Sequence, residues 1–171
     1  MKTLHLLRHA KSDRDDPRIR DPERPLAKRG IKAAKLMAGL MMRTEIKADR
    51  VYCSSARRTR ETYELIAPAL GGAVVSFRED LYLADAGALT RFINDLPAVA
   101  TSVMLIGHNP GFHDLGIDLV ALTSASPDLD HLREKFPTTA LCSVEFTAKT
   151  WHEVRPGTGR LLHFIRPRDF E

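Results

Sequence analysis

Three short stretches of this 171-residue chain end an apolar run in side chains that bind or move charge: "LLRHAKS" (6–12), "YCSSARRTRET" (52–62) and "MLIGHNPG" (104–111). They contribute Arg8 and His9, Arg57 or Arg58, and His108. Guanidinium groups grip phosphate oxygens through two parallel hydrogen bonds and keep their charge, so a pair of them defines a phosphoryl pocket. An imidazole, with an ordinary pKa of about 6.5, is mostly neutral at pH 7. If an acceptor holds its Nδ1–H, Nε2 is free to attack phosphorus, and a second histidine can donate a hydrogen bond to a transferring oxygen. The combination points to phosphoryl transfer.

Each stretch alone says little. An Arg-His pair at a strand end is ordinary surface chemistry, and "GHNPG" is a good turn. "SSARRTRET" reads as a helix start with Ser54 or Ser55 as N-cap. Its basic first turns run against the helix dipole, which favours anions at that end, and a bound anion attracted by both dipole and arginines would explain them.

The elements must bring the three ends together. Short β-type runs alternate with longer runs of helical period, the mark of an α/β fold with a largely parallel sheet. In such open sheets the ligand crevice lies outside the carboxyl ends of the strands. Strands are expected at 3–8, 50–54, 73–77 and 102–108, the last so apolar that it belongs in the centre of the sheet. Helices are expected from Leu26 to about Arg43, from Ala56 to Ala67 ahead of Pro68, across Leu89, Phe92, Ile93 and Leu96, and across Phe112, Leu115, Leu119 and Leu122. "LCSVEF", "WHEV" and "RLLHFI" read as strands that finish the sheet. The expected architecture is a three-layer α/β/α sandwich with a mostly parallel central sheet, in one domain over residues 1–171 with no cap insertion.

Composition narrows the partners. The 26 Lys+Arg exceed the 22 Asp+Glu by four, which suits an anionic partner. The charge is dispersed and aromatics are 6% of residues, with no basic-aromatic stripe, so nucleic acid is not expected. No apolar run approaches a membrane span, and no secretory signal is visible, so the reading is cytoplasmic. Cys53 and Cys142 read as small buried hydrophobes. His108 and His113 lack metal-ligand spacing, and no dinucleotide or Walker loop occurs, so neither metal nor cofactor is expected.

Taken in order, these motifs resemble the histidine phosphatase superfamily, which includes cofactor-dependent phosphoglycerate mutases and acid phosphatases. Within it they resemble the small SixA-like phosphohistidine phosphatases. "LLRHAKS" resembles the family's Arg-His at the end of the first strand, "RPLAKRG" its Arg-Pro-Leu-x-x-x-Gly segment, and "IGHNPG" its second-histidine turn. "SSARRTRET" resembles the Ser-x-x-x-Arg-x-x-x-Thr pattern, which selects Arg58 over Arg57. The resemblance implies a phosphoglycerate mutase-like fold, His9 as the phosphate-accepting nucleophile, Arg8 and Arg58 as phosphate clamps, and His108 as the second histidine. Asn109 would add its backbone N–H, and Lys11 and Arg24 positive charge at the pocket mouth.

The family's acid is matched poorly. "FREDLYLADAG" offers Glu79, Asp80 and Asp85, of which Glu79 stands three residues before Tyr82, as the acid does in the mutases' Glu-x-x-Tyr pattern. An alkoxide leaving group needs a positioned proton donor, whereas a phosphohistidine leaves as a basic imidazole. A weak acid site therefore favours a phosphohistidine protein as substrate, with inorganic phosphate as product. The competing expectations are a broad phosphomonoesterase of small molecules and a non-catalytic phospho-ligand module.

Overall fold

The structure, a computed structural model, describes residues 1–121, 123 and 125–171. Its sheet has the strand order β3-β2-β4-β1-β5-β6. The strands are β1 (Lys2–Arg8), β2 (Arg50–Ser54), β3 (Val74–Arg78), β4 (Ser102–Gly107), β5 (Leu141–Phe146) and β6 (Arg160–Ile165). β1, β4, β2 and β3 run parallel, while β5 and β6 add an antiparallel flank. The helices are α1 (Lys28–Arg43), α2 (Arg57–Ile66), α3 (Ala86–Asn94), α4 (Gly111–Leu119) and α5 (Pro127–Glu134).

Successive strand residues point to opposite faces, and each face has its own core. Leu4 and Leu6 of β1, Val103 and Leu105 of β4, and Cys142 and Val144 of β5 pack with α3, α4 and α5. Leu7, Met104, Ile106 and Leu141 pack against Met37 and Met41 of α1 and Ile66 of α2. These are the three expected layers, and β4 is central as its apolar run requires, lying between β2 and β1. Cys53 and Cys142 are buried free thiols. Among the described residues no helix is long and apolar enough to cross a membrane.

Several expectations need correction. "WHEV" is not a strand: Trp151–Glu153 form a 3-10 turn. Trp151 is fully buried there and donates its indole N–H to Ala100 O at 2.8 Å, so the side chain rather than a β-ladder anchors the segment. α5 was not expected, although its signals are in the sequence: Ser126 caps Leu129 N at 3.2 Å, Pro127 follows, and Asp128 and Asp130 fill the first turn. Past α2, Ala67–Leu70 continue as a 3-10 turn through Pro68. Leu122 lies outside the described residues.

Candidate active site

The register sets three strand ends level. Arg8 pairs with Gly107 and Cys53 with Ile106, so the residues leaving β1, β2 and β4 emerge side by side. His9 N donates to Gly107 O at 3.0 Å, which carries the ladder one residue beyond β1 and fixes His9 beside the turn that bears His108. Two glycines permit the close packing around these ends. A Cβ at Gly111 would lie 2.0 Å from Ala84 O, and one at Gly30 would lie 2.1 Å from Lys11 O.

The His9 and His108 rings stand 5.3 Å apart, centroid to centroid. His9 Nδ1 lies 2.7 Å from Ala10 O. A carbonyl only accepts, so Nδ1 carries the proton and Nε2 holds the ring's lone pair. Burial, reinforced by His108, Arg58 and Arg8, lowers the His9 pKa to about 3 and keeps the ring neutral.

His108 is held in the opposite tautomer. Arg58 Nη2 donates to its Nδ1 at 3.4 Å, and a guanidinium cannot accept, so Nε2 bears the hydrogen and donates to Ser54 Oγ at 2.7 Å. Burial and then Arg58 hold its pKa down at about 3. The His108 nitrogen facing Arg58 thus begins as an acceptor. An anion placed beside it would raise its proton affinity and favour a proton on that nitrogen.

Arg58 is 2% exposed and donates to Asp21 O at 2.8 Å and to Asp21 Oδ2 at 3.1 Å. Arg8 Nη1 donates to Phe136 O at 2.9 Å. Among the described residues, the buried side-chain polar atoms without a protein partner are Arg8 Nε, Arg58 Nε, Asn109 Oδ1 and Thr139 Oγ1. Thr139 N in turn bonds Arg8 O and His9 O, so all four belong to the site or its immediate support. Arg8, His9, Lys11, Arg58, His108 and Asn109 help to line a cavity of about 280 Å³. Arg24 lines it too, while Arg57 points away to Glu61 at 3.3 Å.

The acidic candidates after β3 lie elsewhere. Glu79 is exposed at the start of a 3-10 turn and does not line the cavity, because the turn carries Tyr82 and Leu83 there instead. Asp80 pairs with Arg78 at 2.8 Å, and Asp85 caps α3 through Ala88 N at 2.8 Å. The carboxylate that lines the cavity is Asp21, from the proline-rich loop. Partial burial acts upward on its pKa, but the Tyr82 hydroxyl and Arg58 prevail and bring it to about 2. Asp21 is therefore ionised at neutral pH, and in this state it accepts hydrogen bonds rather than supplying a proton.

Sequence reading missed three supports. Ser54 is not the cap of α2; the N-cap is Ala56, without a side-chain bond, and the Ser54 hydroxyl serves His108. Thr62 Oγ1 accepts from Ala10 N at 3.0 Å and donates to Arg58 O at 2.7 Å, tying the His9 segment to the Arg58 turn. The available signal was the Ser-x-x-x-Arg-x-x-x-Thr pattern: Arg58 and Thr62, four apart on α2, share a face, while Ser54 ends β2 just before it. Asp21 had no signal, because its loop has no period and reaches the site only in the folded chain.

The architecture has counterparts. Residues 4–92 match the model of the histidine phosphatase superfamily (branch 1). An uncharacterized protein of Mycobacterium tuberculosis is 34% identical over 163 residues, covering 95% of this chain and 100% of that protein. The solved structure assigned as the phosphohistidine phosphatase SixA of Nakamurella multipartitia superposes with a TM-score of 0.82 at 29% identity, over 97% of this chain and 96% of that one. The corresponding protein from Agrobacterium tumefaciens gives a TM-score of 0.79 at 27% identity, over 97% and 98%.

Proposed function

The chain belongs to the histidine phosphatase superfamily, a phosphatase family, and from that premise we propose that it is a metal-independent, SixA-like phosphohistidine phosphatase acting on proteins. His9 Nε2 attacks the phosphorus in line as the substrate's P–N bond breaks, and the departing imidazole takes its proton from solvent. The phosphorylated His9 is an imidazolium whose Nδ1–H still bonds Ala10 O, so it departs as a neutral imidazole when water attacks. Water's oxygen bonds to phosphorus, a proton is released, and inorganic phosphate forms. Arg8 and Arg58 bind the equatorial oxygens in both steps, and His108, once protonated at Nδ1, donates to one of them.

One observation carries this reading. His9 is held by Ala10 O at 2.7 Å in the tautomer that leaves Nε2 free, burial keeps the ring neutral, and it lines a cavity together with two arginines whose buried Nε atoms have no protein partner. A protein-borne phosphohistidine is favoured over a small phosphoester by two features. Glu79 lies off the cavity, and the carboxylate that lines it is ionised, which leaves a poor proton donor for an alkoxide. Residues 79–101 form only a turn, α3 and connections, so that segment builds no cap over the mouth.

The test is wild type and His9→Ala assayed on a phosphohistidine protein, a phosphoserine peptide and p-nitrophenyl phosphate. The expected result is a wild-type kcat/KM highest for phosphohistidine, a trapped phospho-His9, and loss of at least about a thousandfold in the variant. Undiminished turnover by His9→Ala would end the proposal. Stoichiometric binding of unreacted phospholigand to wild type would make the protein a binding module instead.

A further inference from the structure

A second cavity, of about 670 Å³, opens beside the phosphate cavity and shares Arg8, Lys11 and Thr138 with it. Its charges come from four separate segments: Arg8 and Lys11 at the end of β1, Arg29 and Lys32 on α1, Lys135 after α5, and Arg168 after β6. Glu171 is the one acidic side chain among the described residues that lines it. Among the described residues none of these six cations is ion-paired.

The placement also works against local stability. α1 opens with Lys28 and Arg29, no acid in its first turn and no side-chain cap, where the helix dipole favours the opposite charge. Lys11 is held below its ordinary pKa by desolvation and by Arg29, Arg14, Arg8 and Arg24. Mutual repulsion of this kind is relieved by an anion that spans the segments.

We propose that this groove binds an acidic polypeptide segment flanking the phosphorylated residue of a protein substrate. The phosphoryl group then sits at His9 while carboxylates lie along the cations. The identity of the phosphorylated residue rests on the phosphohistidine reading; the acidic flank does not. A polypeptide fits better than a nucleotide, since among the described residues no aromatic side chain lines the groove to stack a base. It also fits better than one more phosphate, since exposed cations on three segments beside the half-buried Arg8 and Lys11 make a broad field rather than a fork converging on one group.

The experiment uses the full chain and pairs of phosphohistidine peptides and of phosphoserine peptides, the members of each pair differing only in an acidic or a neutral amide flank. The acidic flank should raise kcat/KM about tenfold at low ionic strength, mainly through KM, and the advantage should fade toward unity near 0.5 M salt. The double variant Arg29→Glu/Lys32→Glu should abolish the advantage while phosphoramidate turnover stays within about twofold. Lys135→Glu/Arg168→Glu, on different segments, should do the same. If the phosphohistidine pair is not hydrolysed but the phosphoserine pair keeps the flank advantage, the groove stands and the phosphohistidine reading falls. Equal rates within each hydrolysed pair, or variants that slow phosphoramidate as much as acidic peptide, overturn the groove. Inorganic tripolyphosphate hydrolysed faster than every peptide, with the same sensitivity to the variants, overturns the polypeptide assignment.

Discussion

Replacing Thr62 by valine isolates the link between fold and nucleophile. Thr62 and Ala10 are both fully buried, and Thr62 Oγ1 is the 3.0 Å acceptor of Ala10 N. Valine keeps the branched shape but leaves that N–H buried without a partner, which costs about 1–3 kcal/mol. For a chain of this size that lowers Tm by about 2–12 °C, at about 2–4 °C per kcal/mol. Catalysis should suffer separately, because Ala10 O is the acceptor that fixes the His9 tautomer and Arg58 O is the other Thr62 partner. Displacing both slows phosphorylation of His9 about tenfold or more. The assay is thermal unfolding in phosphate-free buffer beside single-turnover phosphorylation well below Tm, with Thr62→Ser restoring both. A lowered Tm with an unchanged phosphorylation rate would refute the positioning argument, and no change in either would refute the hydrogen-bond reading.

Ser54→Ala should lower kcat about tenfold and stability by about 1–3 kcal/mol by stranding His108 Nε2–H. Ser55→Ala, measured beside it by denaturant titration and steady-state kinetics, should stay within about 0.5 kcal/mol of wild type. Arg8→Met should raise Tm in phosphate-free buffer while removing the stabilisation that added phosphate gives wild type, both read by calorimetry. Acid should destabilise the fold from pH 6.5 downward. His5, His9 and His108 have folded pKa values depressed to about 4, 3 and 3, so the unfolded chain takes up protons first as pH falls. The stability is fully present above about 6.5 and lost toward the folded values; His5 alone accounts for about 3 kcal/mol when fully titrated. A denaturation free energy flat between pH 7 and 4 would contradict this.

The layers, the parallel core and the meeting of three strand ends were legible because each is written in a short-range pattern. The continuous apolar run of 102–107 demanded a covered central strand, and the alternation in "LCSVEF" gave β5 its two faces. That Arg8, His9, His108 and either Arg57 or Arg58 come together was legible because strand ends in this kind of sheet converge by topology, while the choice of Arg58 needed the family pattern. What escaped depends on the partner across the fold. Ser54 carries a perfect cap signature, yet its hydroxyl goes to a histidine 54 positions away. Glu79 has the better spacing from Tyr82, yet the carboxylate in the cavity comes from Asp21, 61 positions before that tyrosine. Trp151 mimics a strand residue because its burial is satisfied by one indole hydrogen bond rather than by a ladder.

These departures from local rules fall together, and their coincidence is itself an argument about the site. α2 begins with Ala56 and no side-chain cap, in place of a serine cap worth about 1 kcal/mol. Its first turn is basic against the dipole, and Arg8 Nε and Arg58 Nε are buried unpartnered, each at a cost comparable to a lost hydrogen bond. Residues chosen for stability alone would reverse every one of these choices, and under the proposed function one added group answers them at a single place: a dianion that the two guanidinium groups attract, that faces the positive end of α2 and that raises the proton affinity of His108. Under the proposed function the strain around the cavity is the counterpart of phosphate binding, and it is why Arg8→Met is expected to weaken catalysis while strengthening the fold.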